Sequence, residues 1–205
     1  MLYAINRNMC AFYLYSMLVV ICIAGMSKGC SSKHRDLLDL VVQYTTCSSQ
    51  GKEAFIKGDY QKSEEHYLEA VVIARKITNT KFYLVISLNS LAKNYQAMND
   101  VKKAEATYLE MVSVINLTKE DVIEYKKLHE YFAELATFYI KTAQYEKGIP
   151  LIASFLSELE ALNGTESQKF NDDMRFFTLL LRSAGQSDEA AKIENRFARG
   201  STPLR

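Results

Sequence analysis

Proline is nearly absent from this chain and glycine is sparse, with 2 and 8 among 205 residues. So few breakers disfavour a fold of many short strands and tight turns. Histidine is also scarce. His34, His66 and His129 are scattered, and none lies one helical turn from a second His or Cys, so zinc-type ligand spacing is missing. The formal charge is only +1, which gives no basis for nucleic acid or a strongly anionic partner. There is no glycine-rich phosphate loop and no nucleophile elbow. The acidic pairs Glu64-Glu65 and Asp172-Asp173 are adjacent in sequence, so on a helix they point to different sides and cannot act as one acid/base site. The expectation is a protein without enzymatic activity, metal or cofactor.

What is present is 48% hydrophobic and 24% charged, as in one globular helical domain. Acidic residues are missing before Cys30, where Arg7 and Lys28 are the only basic ones. Asn8 to Ser27 carries no charge, and Met9 to Ala24 is nearly all apolar. A basic start, an apolar middle and small residues near a cut site form a secretory-signal pattern. Gly29-Cys30-Ser31-Ser32, closing such a segment, resembles a bacterial lipoprotein processing site, although Ser27 stands where that family has Leu and Lys28 adds a charge. The resemblance implies that Cys30 becomes the lipid-bearing first residue, which places the protein in the bacterial cell envelope, facing the periplasm or surface.

Two alternatives stay open. About 20 apolar residues suffice to span a bilayer, so residues 1–29 also fit an uncleaved anchor. Lys28, Lys33 and Arg35 follow the segment while Arg7 precedes it, which for an anchor leaves the rest of the chain in the cytoplasm as a regulatory or sensory subunit. Ordinary secretion without lipid is the other. Cys10 and Cys22 fall in the apolar segment, so lipidation of Cys30 leaves Cys47 single, where a buried thiol acts as a small hydrophobe.

Beyond a polar tether at 30–35, with helix expected from near Asp36, one pattern recurs four times. It is clearest in Leu88 to Met111, LNSLAKNYQAMNDVKKAEATYLEM, two amphipathic helices around a turn at Asn99-Asp100. Leu88, Leu91, Ala92 and Tyr95 precede the turn, and Val101, Ala104, Tyr108 and Met111 follow it. Each set steps mostly by three or four and so marks one buried stripe. The alanines let the two helices approach closely.

The same offsets recur around Gly58, with Cys47, Gly51 and Ala54 before and Tyr60, Ser63, Tyr67 and Ala70 after. Around Ala143 they select Phe132, Leu135, Ala136 and Tyr139, then Tyr145, Gly148, Ile152 and Phe155. Around Gly185 they select Met174, Phe177, Thr178 and Leu181, then Ser187, Ala190 and Phe197, with Glu194 interrupting the aromatic slot. A polar final helix is what a solenoid needs to end its stack in water.

The turns at 58, 99, 143 and 185 give a period longer than the 34 residues of a plain tetratricopeptide (TPR) unit. The small residues, the Tyr/Leu slots and the Gly58-Asp59-Tyr60 turn nevertheless resemble TPR repeats. The length, with Leu88-Asn89-Ser90-Leu91-Ala92 and Tyr95, resembles the kinesin light chain type. The resemblance covers about Asp36 to Phe197 and implies an all-α fold over 36–198, a right-handed superhelical α-solenoid of four TPR-like hairpins, followed by a flexible tail at 199–205.

Three local signals bear on helix ends. Thr165 with Gln168 reads as a capping box, and Thr118 with Asp121 as a looser one. Asn163-Gly164 is a stop, because Gly tolerates positive φ. Pro150 falls about six residues into the second helix of repeat three, which predicts either a start near Gly148 or a kink. Asn116-Leu117-Thr118 and Asn163-Gly164-Thr165 match a glycosylation pattern, but these helix-end roles account for them.

In this architecture the concave side is lined by first-helix residues at offsets −3, −6, −10 and −13 from each turn. The candidate groove residues are Lys52 and Phe55 in repeat one, Asn89, Lys93 and Gln96 in repeat two, Thr137 and Ile140 in repeat three, and Arg175 and Arg182 in repeat four. The expected partner is a protein or peptide in extended or helical form, with membrane contact only through the amino terminus. Lys52, Lys93 and Asn89 occupy neighbouring positions able to hold a carboxylate by charge-assisted hydrogen bonds. The plainer reading is a solvated lysine face.

Overall fold

The computed structural model describes residues 32–118, 125 and 128–198. The expected export segment, Cys30, Asp121 and the tail at 199–205 lie outside the described residues. Eight helices and no strand occur among the described residues. In order they are α1 Ser32–Ile56, α2 Tyr60–Lys76, α3 Phe82–Ala97, α4 Val101–Asn116, α5 Phe132–Lys141, α6 Tyr145–Asn163, α7 Gln168–Ser183 and α8 Ser187–Ala198, with a 3-10 turn at His129–Tyr131 leading into α5. The chain divides into two compact units, Met1–Val42 and Gln43–Arg205. Of the first, only the leading turns of α1 are described. The second holds four successive helical hairpins, an all-α solenoid.

α1 starts at Ser32, ahead of the expected start near Asp36. No Gly or Pro lies between them to stop the helix, so most of the segment expected as a tether is helical. At the other end of the chain, α7 is capped by Ser167, whose side chain accepts from the Phe170 amide at 3.2 Å. The Thr165–Gln168 capping box therefore does not form, because the helix is capped two residues later than that pairing requires. Gly164 does close α6 with φ 78°. Nor does the Pro150 conflict shorten α6, which runs from Tyr145 through Pro150, an exposed residue near its start.

The four turns share one geometry. Gly58, Asn99, Ala143 and Gly185 all adopt positive φ, between 58° and 79°. In each, the turn residue's amide donates to the carbonyl three residues back, and the next amide donates to the carbonyl five residues back. For the second turn these are Asn99 N to Gln96 O at 3.0 Å and Asp100 N to Tyr95 O at 2.9 Å. This is the Schellman motif, which satisfies carbonyls that a helix end leaves open. Asp59 and Asp100 then cap the following helix through the amides of Lys62 and Lys103. Each turn thus stops one helix and starts the next within two residues, and this fixes the register of every hairpin. Ala143 does so at a steric cost of roughly 1 kcal/mol that Gly would not carry.

The stripes pack as their spacing predicts, with one position excepted. Leu88, Leu91, Ala92 and Tyr95 are buried against Ala104, Tyr108 and Met111, and the matching residues of the other hairpins are buried or nearly so. The exception is the second residue after the turn, where Val101 and Ser187 are exposed and Tyr60 and Tyr145 half-buried. Small residues set the closeness of the crossings. Ser63 Oγ donates to the Gly51 carbonyl at 2.9 Å, and a Cβ on Gly51 would lie 2.7 Å from the Tyr67 ring.

Between hairpins, a three-residue clamp occurs twice at the same offsets. Tyr95 Oη donates to Glu64 at 2.9 Å, while Lys103 Nζ lies 3.1 Å from the same carboxylate and 4.9 Å from the Tyr95 ring centroid. One repeat on, Tyr139 donates to Glu105 at 3.0 Å, and Lys147 lies 2.7 Å from Glu105 and 5.3 Å from the Tyr139 ring. Burial, reinforced by the Glu105 carboxylate, pushes the Tyr139 phenol up to about 12, and Lys147 holds the Glu105 carboxyl below its usual range. Both keep their bonded forms near neutral pH. The last junction replaces this clamp with apolar packing, in which Phe155 meets Phe177 edge-on with ring centroids 5.6 Å apart and Leu181 is fully buried.

The first hairpin presents a polar outer face. Leu84, Ser87, Leu91 and Asn94 are buried in α3, but their α1 equivalents Gln43, Thr46, Gln50 and Glu53 are exposed. The polar termination expected of α8 is thus matched at the amino-terminal end, as a stack ending in water requires.

Candidate binding face

The first helices of successive hairpins form one layer, so residues on their outer sides can line a continuous face. Within it the structure separates the candidate residues into two groups.

Lys52, Asn89, Lys93, Thr137 and Arg175 lie at offsets −6 and −10. Lys52 and Arg175 are exposed, Lys93 and Thr137 half-buried, and Asn89 is buried at 9% exposure. Lys93 does not point freely to solvent. Its Nζ lies 2.6 Å from Glu134 Oε1 on α5, tying the first helices of repeats two and three together. Asn89 sits one helical turn before Lys93 and therefore shares its side of α3. Its Oδ1 is buried and accepts no hydrogen bond from the described residues. An oxygen closed off in this way belongs to the packing of α3 and is out of a partner's reach.

Of the four residues at offset −3, Ile140 is buried and so is no groove residue, which corrects the sequence expectation for it, while Phe55, Gln96 and Arg182 lean toward the second helix of their own hairpin. Ile140 is 2% exposed, packed so near Gly148 that a Cβ there would lie 2.7 Å from Ile140 Cδ1. Gln96 Oε1 accepts from Tyr108 Oη at 2.9 Å, and Arg182 pairs with Glu194 at 2.7 Å. Both contacts join offsets −3 and +9 within one hairpin. Phe55 likewise turns inward, its ring 5.5 Å from that of Tyr60. The reason is angular. At about 100° per residue, offset −3 lies only about 40° from the core offset −7, on the side facing the second helix. Glu194 in the aromatic slot is therefore compensated by Arg182, which holds its carboxyl below the usual range.

Sequence reading missed Glu134, at offset −9. The only signal was that Lys93 at −6 and Glu134 at −9 of the next repeat sit on facing edges of neighbouring helices. Cys47, its thiol pushed up by burial and by Glu69, is inert packing. Among the described residues no group of His, Cys, Asp and Glu is placed to hold a metal ion, and no helix is long and apolar enough to cross a membrane.

No family model matches the chain, and no curated protein does. Solved structures do. The kinesin light chain nearly identical TPR-like repeats of Podosopora anserina share 19% identity over 82% of this chain and 77% of that one, with a TM-score of 0.56. BtubC (BKLC) from P. vanneervenii shares 16% identity over 86% and 76%, with a TM-score of 0.59. At these identities the likeness is one of fold, and that fold is the kinesin light chain-like TPR solenoid.

Proposed function

We propose that the chain is a non-enzymatic scaffold that binds a protein segment along the face formed by α1, α3, α5 and α7. The carrying observation is the row of Lys52, Lys93, Thr137 and Arg175, which runs across all four first helices at groove offsets and stays exposed or half-exposed. An extended segment lying along that row meets one groove position on each first helix in turn. The TPR solenoid supports the reading, because it builds a long face from repeated helices and leaves its loops short.

Export to the bacterial envelope, with lipid on Cys30, completes the proposal and rests on the apolar segment followed by Gly29-Cys30-Ser31. The binding part is tested by capture from native membranes. Arg175→Glu should reduce recovery of the partner about tenfold, the scale of one lost polar contact on the face, while leaving the helical circular dichroism spectrum unchanged. Undiminished capture would take Arg175 off the face and break the row on which the assignment of this face rests.

A further inference from the structure

We propose that Glu134 is an internal occupant of the binding face, holding the place of a partner's carboxylate on Lys93. The inference rests on the reading of the face given above and adds the chemistry of what it receives.

Lys52 and Lys93 hold the same offset in successive hairpins, yet their surroundings differ. Glu134 of α5 reaches back to Lys93 at 2.6 Å, and both side chains keep partial exposure, 33% for Glu134 and 43% for Lys93. The residue equivalent to Glu134 in the hairpin after Lys52 is Ser90, which carries no charge. Lys52 is exposed and forms no ion pair among the described residues. At these two equivalent positions the face therefore presents a bare cation, Lys52, and, about 10 Å away across one helix packing distance, a second cation already covered by the protein's own carboxylate.

A half-exposed ion pair is weak enough to exchange, because water still competes for both partners. An incoming carboxylate takes the same Nζ hydrogens and releases Glu134 to solvent, with charge conserved and no bond made or broken covalently. Glu134 then acts as a filter. A segment without an acidic residue cannot displace it, and one with acidic residues spaced to reach both Lys52 and Lys93 can.

The test uses the full-length protein in detergent and two fluorescein-labelled probes, (Gly-Glu)5 and (Gly-Gln)5, read by fluorescence anisotropy. Glu134→Gln should bind (Gly-Glu)5 about fivefold more tightly than the wild type, the factor expected when a competing partly exposed pair is removed. Binding of (Gly-Gln)5 should not change. Adding Lys93→Gln to Glu134→Gln should abolish the gain. Glu110→Gln supplies the charge-matched control, because it frees Arg75 from a pair between second helices and should give no gain. An equal gain from Glu110→Gln would reduce the effect to net charge and overturn the proposal, as would unchanged or weaker binding by Glu134→Gln. That failure is distinct from failure of the face itself. If Arg175→Glu still lowers partner capture, the face stands and only the role of Glu134 is lost.

Discussion

Phe177→Ala should destabilise the solenoid by about 3–5 kcal/mol, the largest loss expected of any single truncation here. The ring is fully buried on α7 and sits between two others, Phe155 of α6 at 5.6 Å and Phe176 at 5.2 Å. Its removal leaves a cavity at the one clear junction between hairpins that has no Glu–Tyr–Lys clamp. The apolar contact across α6 and α7 is the core of this junction, flanked by Tyr145 Oη donating to the Ala184 carbonyl at 3.3 Å and Arg196 donating to Ser157 Oγ at 3.0 Å. Stability in a repeat stack is a sum of each unit's own stability and its nearest-neighbour interface. The damage should therefore be local. In hydrogen exchange, α7 and α8 should lose protection by two orders of magnitude or more, while α3 and α4 keep theirs. The midpoint of thermal unfolding should fall by about 10 °C, and the transition should broaden as the last hairpin opens first. A uniform loss of protection through all eight helices would show instead that the stack folds as a single unit.

The second large effect concerns the proposed anchor and is all-or-none. If Cys30 carries lipid, cells fed labelled palmitate will label the wild-type chain and not Cys30→Ala. The substituted chain should then stay as the longer, unprocessed form, because cleavage before a lipidated cysteine waits on the lipid. The competing reading keeps residues 1–29 as an uncleaved helix, for which Lys28, Lys33 and Arg35 favour a cytoplasmic domain. In that case neither chain labels, both stay membrane-bound, and protease added outside the inner membrane cannot reach α1 to α8. Label on both chains would place the lipid on another residue and remove Cys30 from the account.

How far the sequence could be read follows from how local each signal is. The turns were legible because the left-handed residue has few substitutes. Gly58, Asn99 and Gly185 are residues that accept positive φ, and Ala143 was found only because the stripes on either side fixed its place. The core stripes were legible because their 3.6-residue period survives even where Thr178 or Ser63 replaces an apolar residue. The binding face was half legible. Offset −3 borders both the core and the groove, and only the partner helix decides which side it joins, as Tyr108 does for Gln96 and Glu194 for Arg182. The clamps of Glu64, Tyr95 and Lys103 and of Glu105, Tyr139 and Lys147 join residues from different hairpins. Their signal was present as the same three residue types at the same offsets in successive repeats, but it has no meaning until the hairpins are stacked. The pairing of Lys93 with Glu134 is of the same kind. A lysine that sequence alone marks as a free ligand for carboxylate is, in the folded chain, already holding one.

The central claim is that partners lie along the first helices. It is tested most directly by placing a photo-crosslinking amino acid at single positions and irradiating native membranes. Thr137 lies at a groove offset on α5, and Leu109 is an exposed apolar residue on α4, a second helix, at 48% exposure. The account predicts a discrete crosslinked product from position 137 and none from position 109. A product from position 109 with none from 137 would move the binding surface to the second helices and contradict it.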